Sequence, residues 1–174
     1  MSGTQVLVIS GPAGVGKSSV AFETSLQLQR DGIEHALIDT DELDHIFPVP
    51  ADLAVITERN LAAMWRTFSD RGAQRLILVG VYLARPTELE WIGRAVPNAR
   101  FTLVGLRASE PTLHDRVRQR EIGGGMEAQW QRTRQQAVAL ATEQDSGIHD
   151  VVTDDISVTE TARRIVALWL RSQG

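Results

Sequence analysis

The sequence predicts an α/β fold, a doubly wound sheet of five parallel strands covered by helices on both faces. Three observations predict it. Short apolar, β-branched runs alternate with segments of helical period along the chain, the layout of a parallel sheet built from crossover units. A glycine-rich turn, residues 11–16, joins the first apolar run to the first helical segment. The 174 residues, 43% of them hydrophobic, contain no linker, repeat or low-complexity stretch, so residues 1–174 read as a single domain with a sizeable core.

The first strand is expected at Val6 to Ser10, within the run Gln5-Val6-Leu7-Val8-Ile9-Ser10, and an amphipathic helix at Ser18 to Arg30. A second strand, His35 to Asp39, leads through Ala36-Leu37-Ile38 into a group of acids. Helical period then covers Ala51 to Asp70, and Arg75 to Val81 forms the third strand. The apolar stretch that begins there, Leu76 to Ala84, is about half the roughly 20 residues a membrane helix needs, so it is a buried strand. Pro86 opens a helix to Val96, in the first turn where proline belongs, and Arg100 to Leu106 is the fourth strand. Helices at Glu110 to Glu121, with Pro111 in its first turn, and at Ala128 to Asp145 precede the fifth strand, His149 to Thr153. Ser157 and Glu160 form a capping-box pattern for a last helix to Arg171.

Composition bounds the function classes. A net charge of −4 gives no basic footprint for duplex nucleic acid, and residues 41–58 contain no lysine or arginine to guide a polynucleotide. With no cysteine there is neither a disulfide nor a thiolate metal site, and His35, His45, His114 and His149 are too scattered to suggest one. The N-terminus has no positive start or long apolar core of a signal peptide.

The turn after the first strand reads Gly11-Pro12-Ala13-Gly14-Val15-Gly16-Lys17-Ser18, followed by Ser19, and matches the phosphate-binding loop in full. Lys17 is the only lysine among 18 basic residues. Glycines let successive N–H groups turn inward around phosphates, and the following helix adds its positive end. An ammonium at position 17 reaches the β- and γ-phosphate oxygens as a compact charge where a guanidinium would overfill the space, and the Ser18 hydroxyl suits Mg²⁺. The expected architecture is therefore a P-loop NTPase three-layer sandwich, with ATP and Mg²⁺ as cofactors. A cytoplasmic location is expected because ATP is found there.

Ligands of such sheets bind at the carboxyl ends of the strands, and the second strand ends in Asp39-Thr40-Asp41, with Glu42 and Asp44 beyond. Asp41 is expected to take the proton of an attacking hydroxyl and Asp39 to hold a water of the Mg²⁺ shell. The alternative is that Asp39 ends the strand and Asp41 caps a short helix to Ile46. The third strand carries no acid at its end, Leu78-Val79-Gly80-Val81-Tyr82-Leu83, unlike the usual ATPases and GTPases.

Six arginines (107, 116, 118, 120, 132 and 134) fall within 28 residues, around Gly123-Gly124-Gly125. This is the pattern of a closing helical lid, approximately residues 116–134, in which Arg116 and Arg120 share a helix face and neutralise the transferred group. One of them can stack on adenine instead. The alternative is a solvated hairpin whose arginines pair with Asp115, Glu121 and Glu127. Trp130 and Trp169 are expected to pack. On the acceptor side, Phe47, Pro48 and Pro50 suggest an apolar wall, with Arg59 and Asn60 as polar contacts or simply as parts of a packed helix.

With these parts assembled, the chain resembles the chloramphenicol phosphotransferase-like branch of small P-loop kinases, related to shikimate, gluconate and adenylylsulfate kinases. The resemblance lies in Gly11 to Ser19, in Asp41-Glu42-Leu43-Asp44-His45-Ile46-Phe47-Pro48, and in Arg107, Arg116, Arg120 and Gly124-Gly125-Met126. It implies Asp41 as base. That family carries acids at the end of strand three, where this chain has Gly80 and Val81, so the resemblance implies a reaction class rather than an acceptor. The expected activity is ATP-dependent transfer of the γ-phosphoryl group to a hydroxyl of a small molecule, by a monomer or homodimer. The rival is an ATP-binding sensor that changes shape without transfer.

Overall fold

A computed structural model describes residues 3–120, 125–142 and 147–171. The strands are β1 (Gln5–Ser10), β2 (Ala36–Asp39), β3 (Arg75–Gly80), β4 (Arg100–Arg107) and β5 (Ile148–Val152). They form one sheet in the order β2-β3-β1-β4-β5, every pairing parallel. The helices are α1 (Lys17–Arg30), α2 (Leu53–Ser69), α3 (Pro86–Ala95), α4 (Glu110–Arg120), α5 (Met126–Thr142) and α6 (Val158–Arg171). Each expected element is present among the described residues, with ends shifted by up to about three residues. The expected end of α4 at Glu121 and of α5 at Asp145 lie outside the described residues, as do Gly123 and Gly124 of the proposed hinge.

Strand alternation divides the core into two layers. Leu7 and Ile9 of β1, with Ile77, Val79, Val104 and Leu106, meet Leu28 of α1 and Ile165 and Trp169 of α6. The intervening residues Val6, Val8, Leu76 and Leu78 face the other way, onto Leu61 and Trp65 of α2 and Ile92 of α3. Fully buried Trp169 is core, as expected, and partly buried Trp130 packs on the first layer, edge-on to His114 with centroids 4.9 Å apart. Because β1 and β3 are buried on both faces, their sequences are continuous apolar runs, which is why they were legible.

Two terminal details differ from expectation. Ser157 accepts the Glu160 N–H at 3.1 Å, but the Glu160 carboxylate takes Arg163 and Arg164 rather than completing the capping box. The acids after β2 form a 3₁₀ turn, Thr40–Glu42, and its cap is Asp39, whose carboxylate accepts the Asp41 N–H at 3.2 Å. Asp41 is therefore not the cap, and its side chain is left for other work. No helix among the described residues is long and apolar enough to cross a membrane.

Candidate active site

The loop between β1 and α1 wraps the end of the sheet's central strand. Gly16 has φ 103° and caps α1, a conformation an L side chain resists, and it turns the chain so that Lys17 opens the helix. Gly11 is fixed by a different constraint, since a Cβ there would lie 2.8 Å from the Leu106 carbonyl oxygen. Lys17 Nζ donates to the Pro12 carbonyl at 3.1 Å and so arches over the loop. Burial pushes its pKa down to about 8, against the pull of Asp41 and Asp39, while Arg120 adds to the depression.

Ser18 Oγ donates to Asp39 Oδ2 at 3.0 Å, which joins the two side chains expected on the Mg²⁺ side. They fit a hard cation that needs oxygen donors, with phosphates and water completing its shell. Among the described residues no group of three or more acid, histidine or cysteine side chains could hold a metal by itself. Asp41, one turn on and solvent-facing, has its carboxyl raised above the ordinary aspartate range by desolvation and by the charge of Asp39, with Lys17 opposing. Both acids thus act electrostatically on Lys17, and the expected grouping of Lys17, Ser18, Asp39 and Asp41 is present.

At Gly80, one of the two positions without the acid, the structure leaves little room for a side chain. A Cβ on Gly80 would lie 2.6 Å from Thr40 Oγ1 and 2.7 Å from Leu83 Cγ. Thr40, buried, donates to the Val79 carbonyl at 2.8 Å and fills the space a carboxylate needs.

The arginine-rich segment differs from a free lid at its base. Arg116 spreads its guanidinium over three acceptors, the Val15 carbonyl at 3.0 Å and the Thr153 hydroxyl and carbonyl at 2.9 Å each. It therefore ties α4 and the loop after β5 to the back of the phosphate loop, rather than reaching over its front as expected. Val117 stands 3.1 Å from where a Gly14 Cβ would be, and Asp154 accepts from Ser109 and Thr112 at the start of α4. The arginine exposed on this face near Lys17 is Arg120, one turn beyond Arg116. Of the pairings weighed for a solvated hairpin, Arg118 reaches Asp115 at 3.7 Å, whereas Glu127 takes Gln131 and Arg134 takes Glu110.

One cavity borders the loop and another opens beside the acids that follow β2. The first, about 270 Å³, is lined by Gly14 to Gly16, Ser19, Arg116, Arg120, Thr153 and Ile156. The other, about 700 Å³, lies between α2 and α3 and takes in Thr40, Asp41, Asp44, Glu58, Glu88, Trp91 and Arg94. Phe47, Arg59 and Asn60 do not line it: Phe47 is 94% exposed, and Asn60 is spent on the Leu43 carbonyl at 2.6 Å. Sequence reasoning gave no role to Glu58, Glu88, Trp91 and Arg94, which carry no local motif. It also missed Gln136 of α5, whose Oε1 accepts the Ala13 N–H of the phosphate loop at 2.8 Å.

No protein-family model and no curated protein matches the chain. Among solved structures it is similar to a gluconokinase from Sinorhizobium meliloti, with 18% identity, 99% of this chain and 95% of that one covered, and TM-score 0.61. The Deinococcus radiodurans tunicamycin resistance protein matches at 15% identity over 95% of each chain, TM-score 0.67. The Mycobacterium tuberculosis APS kinase, in complex with AMPPNP and APS, matches at 19% identity over 98% and 99%, TM-score 0.59. The chain has the fold these proteins share, the P-loop NTPase sandwich with a five-stranded parallel sheet.

Proposed function

We propose that the protein is an ATP-dependent kinase that transfers the γ-phosphoryl group to a hydroxyl of a small molecule. The observation that carries the reading is Asp41, a solvent-facing carboxylate with a raised pKa, on the wall of a 700 Å³ cavity and electrostatically coupled to the phosphate-loop lysine. The fold shared with a gluconokinase and an APS kinase supports it.

Within the loop Gly11 to Gly16, the N–H groups of Ala13, Gly14 and Gly16, with Lys17, Ser18 and Ser19, hold the phosphates, while the Gly11 and Val15 N–H groups brace the loop on the Val81 and Pro12 carbonyls, and the 270 Å³ cavity beside Arg116 receives the base. Ser18 and Asp39 hold the Mg²⁺ shell. Bound Mg²⁺ would neutralise charge on the β- and γ-phosphate oxygens. Asp41 accepts the acceptor's hydroxyl proton as that oxygen bonds to the γ-phosphorus. The bond to the β,γ-bridging oxygen breaks, ADP leaves, and Asp41 returns the proton to solvent. Arg120 faces the transferred group, and Arg116 holds the loop that carries Lys17.

The test is ADP release with Mg²⁺ and ATP across hydroxylated acceptors: aminocyclitols, phenicols, sugar acids, shikimate, nucleosides and adenylylsulfate. Acceptor-dependent ADP that disappears in Lys17→Ala supports the kinase. ATP binding with no acceptor-dependent ADP would favour the sensor.

A further inference from the structure

We infer that the acceptor is an amine-bearing, positively charged polyol, and that the cavity discriminates against acceptors carrying a carboxylate. This rests on the kinase reading and concerns the same site. The cavity between α2 and α3 has four carboxylates on its walls, Asp41, Asp44, Glu58 and Glu88, and one cation, Arg94. That cation is already used. Arg94 donates from Nε and Nη2 to Glu58 at 3.1 and 2.7 Å, a two-pronged pair that occupies one edge of the guanidinium and offsets its charge. Neither Asp44 nor Glu88 pairs with a lysine or arginine among the described residues: Asp44 accepts the Thr57 hydroxyl at 3.0 Å and Glu88 the Trp91 indole N–H at 2.7 Å.

These neutral donors orient the carboxylates without cancelling their charge. A second negative group entering the cavity meets uncompensated acids on both sides. An ammonium there gains from them, and the Trp91 ring in the same wall adds a face that attracts cations. Of the hydroxyls in the wall, those of Thr40 and Thr57 already donate, to the Val79 carbonyl and to Asp44, so that together with Thr87 they offer a polyol chiefly acceptor oxygens. Glu88 also lies in the first turn of α3, where a carboxylate favours the helix dipole. That role alone predicts no charge preference in the acceptor, which separates the two explanations by experiment.

The experiment measures transfer of labelled γ-phosphate to three sets of polyols: glucosamine and 2-deoxystreptamine, their N-acetylated forms, and gluconate and glucuronate. The inference expects kcat/KM for the free amines to exceed that for the N-acetyl forms by at least about tenfold, and the carboxylates to fall lower still. Glu88→Gln keeps an oxygen for Trp91 and should reduce the amine to N-acetyl ratio about tenfold. Glu58→Gln, which releases Arg94, should shift the ratio the same way. Carboxylates used as well as amines, or ratios that neither variant moves, would overturn the inference and leave the kinase standing. Transfer to a phenicol, shikimate, a nucleoside or adenylylsulfate but to no member of these sets would overturn the inference and leave the kinase standing, whereas transfer to none of all these acceptors would overturn both.

Discussion

Replacing Arg116 by alanine removes three hydrogen bonds from one charged donor, to Val15 O, Thr153 Oγ1 and Thr153 O. Hydrogen bonds from charged groups are each worth about 1.5–3 kcal/mol, yet the three share one partly exposed guanidinium and are not additive. The Thr153 hydroxyl keeps the Arg107 carbonyl at 3.2 Å and the Val15 carbonyl at 3.4 Å. The Thr153 carbonyl loses its arginine partner. We therefore expect a loss of about 2–4 kcal/mol, and at about 2–4 °C per kcal/mol for a chain of this size the melting temperature falls by about 4–16 °C. Thermal unfolding without nucleotide reads this, and repeating it with saturating Mg²⁺ and ATP shows whether the loosened loop binds more weakly. Arg116→Lys keeps the charge but not the fork, and should recover less than half of the loss. A melting temperature within about 1 °C of the parent, with turnover abolished, would refute the structural role and return Arg116 to the transferred group.

Three further outcomes follow from the same geometry. At pH 8 the Lys17 amine, with its pKa held near 8 by burial, is about half protonated; bound phosphate favours the charged form, so ATP binding should take up about half a proton. Titration calorimetry at pH 8 in buffers of different ionisation enthalpy measures this, and zero uptake contradicts it. Gln136 Oε1 occupies the Ala13 N–H that phosphate oxygens need, so Gln136→Leu should tighten ATP binding by about two- to tenfold, the worth of one neutral hydrogen bond; weaker binding would mean that Gln136 assists the nucleotide instead. Gly80→Ala drives a methyl into Thr40 and Leu83 and should cost about 1–3 kcal/mol, read by urea unfolding, whereas an unchanged midpoint would show that the end of β3 has room for the missing acid.

The legible part of this molecule is the part whose chemistry is local in sequence. Gly11 to Ser18 announces itself because its glycines, Lys17 and Ser18 are contiguous in the chain, and β1 and β3 because burial on both faces demands unbroken apolar runs. Asp39 and Asp41 are also neighbours, and their separate roles were expected from sequence; what was not readable is the 3₁₀ turn in which Asp39, rather than Asp41, is the cap. The arginine cluster was visible, but not its assignment. Arg116 and Arg120 share a helix face, and only the approach of Thr153, 37 residues on, commits the first to the loop. The cavity between α2 and α3 was least legible. Glu58 and Arg94 are 36 residues apart on different helices, and nothing in either helix marks one arginine as neutralised by one glutamate.

The central claim is that Asp41 removes a proton from an acceptor hydroxyl while the phosphate loop holds ATP. Labelled γ-phosphate transfer, measured beside ATP affinity in the parent and in Asp41→Asn, tests it most directly. The account predicts that the variant binds ATP within about threefold of the parent and transfers at least about a hundredfold more slowly, the usual loss when a general base is removed. Unchanged transfer in Asp41→Asn would contradict it.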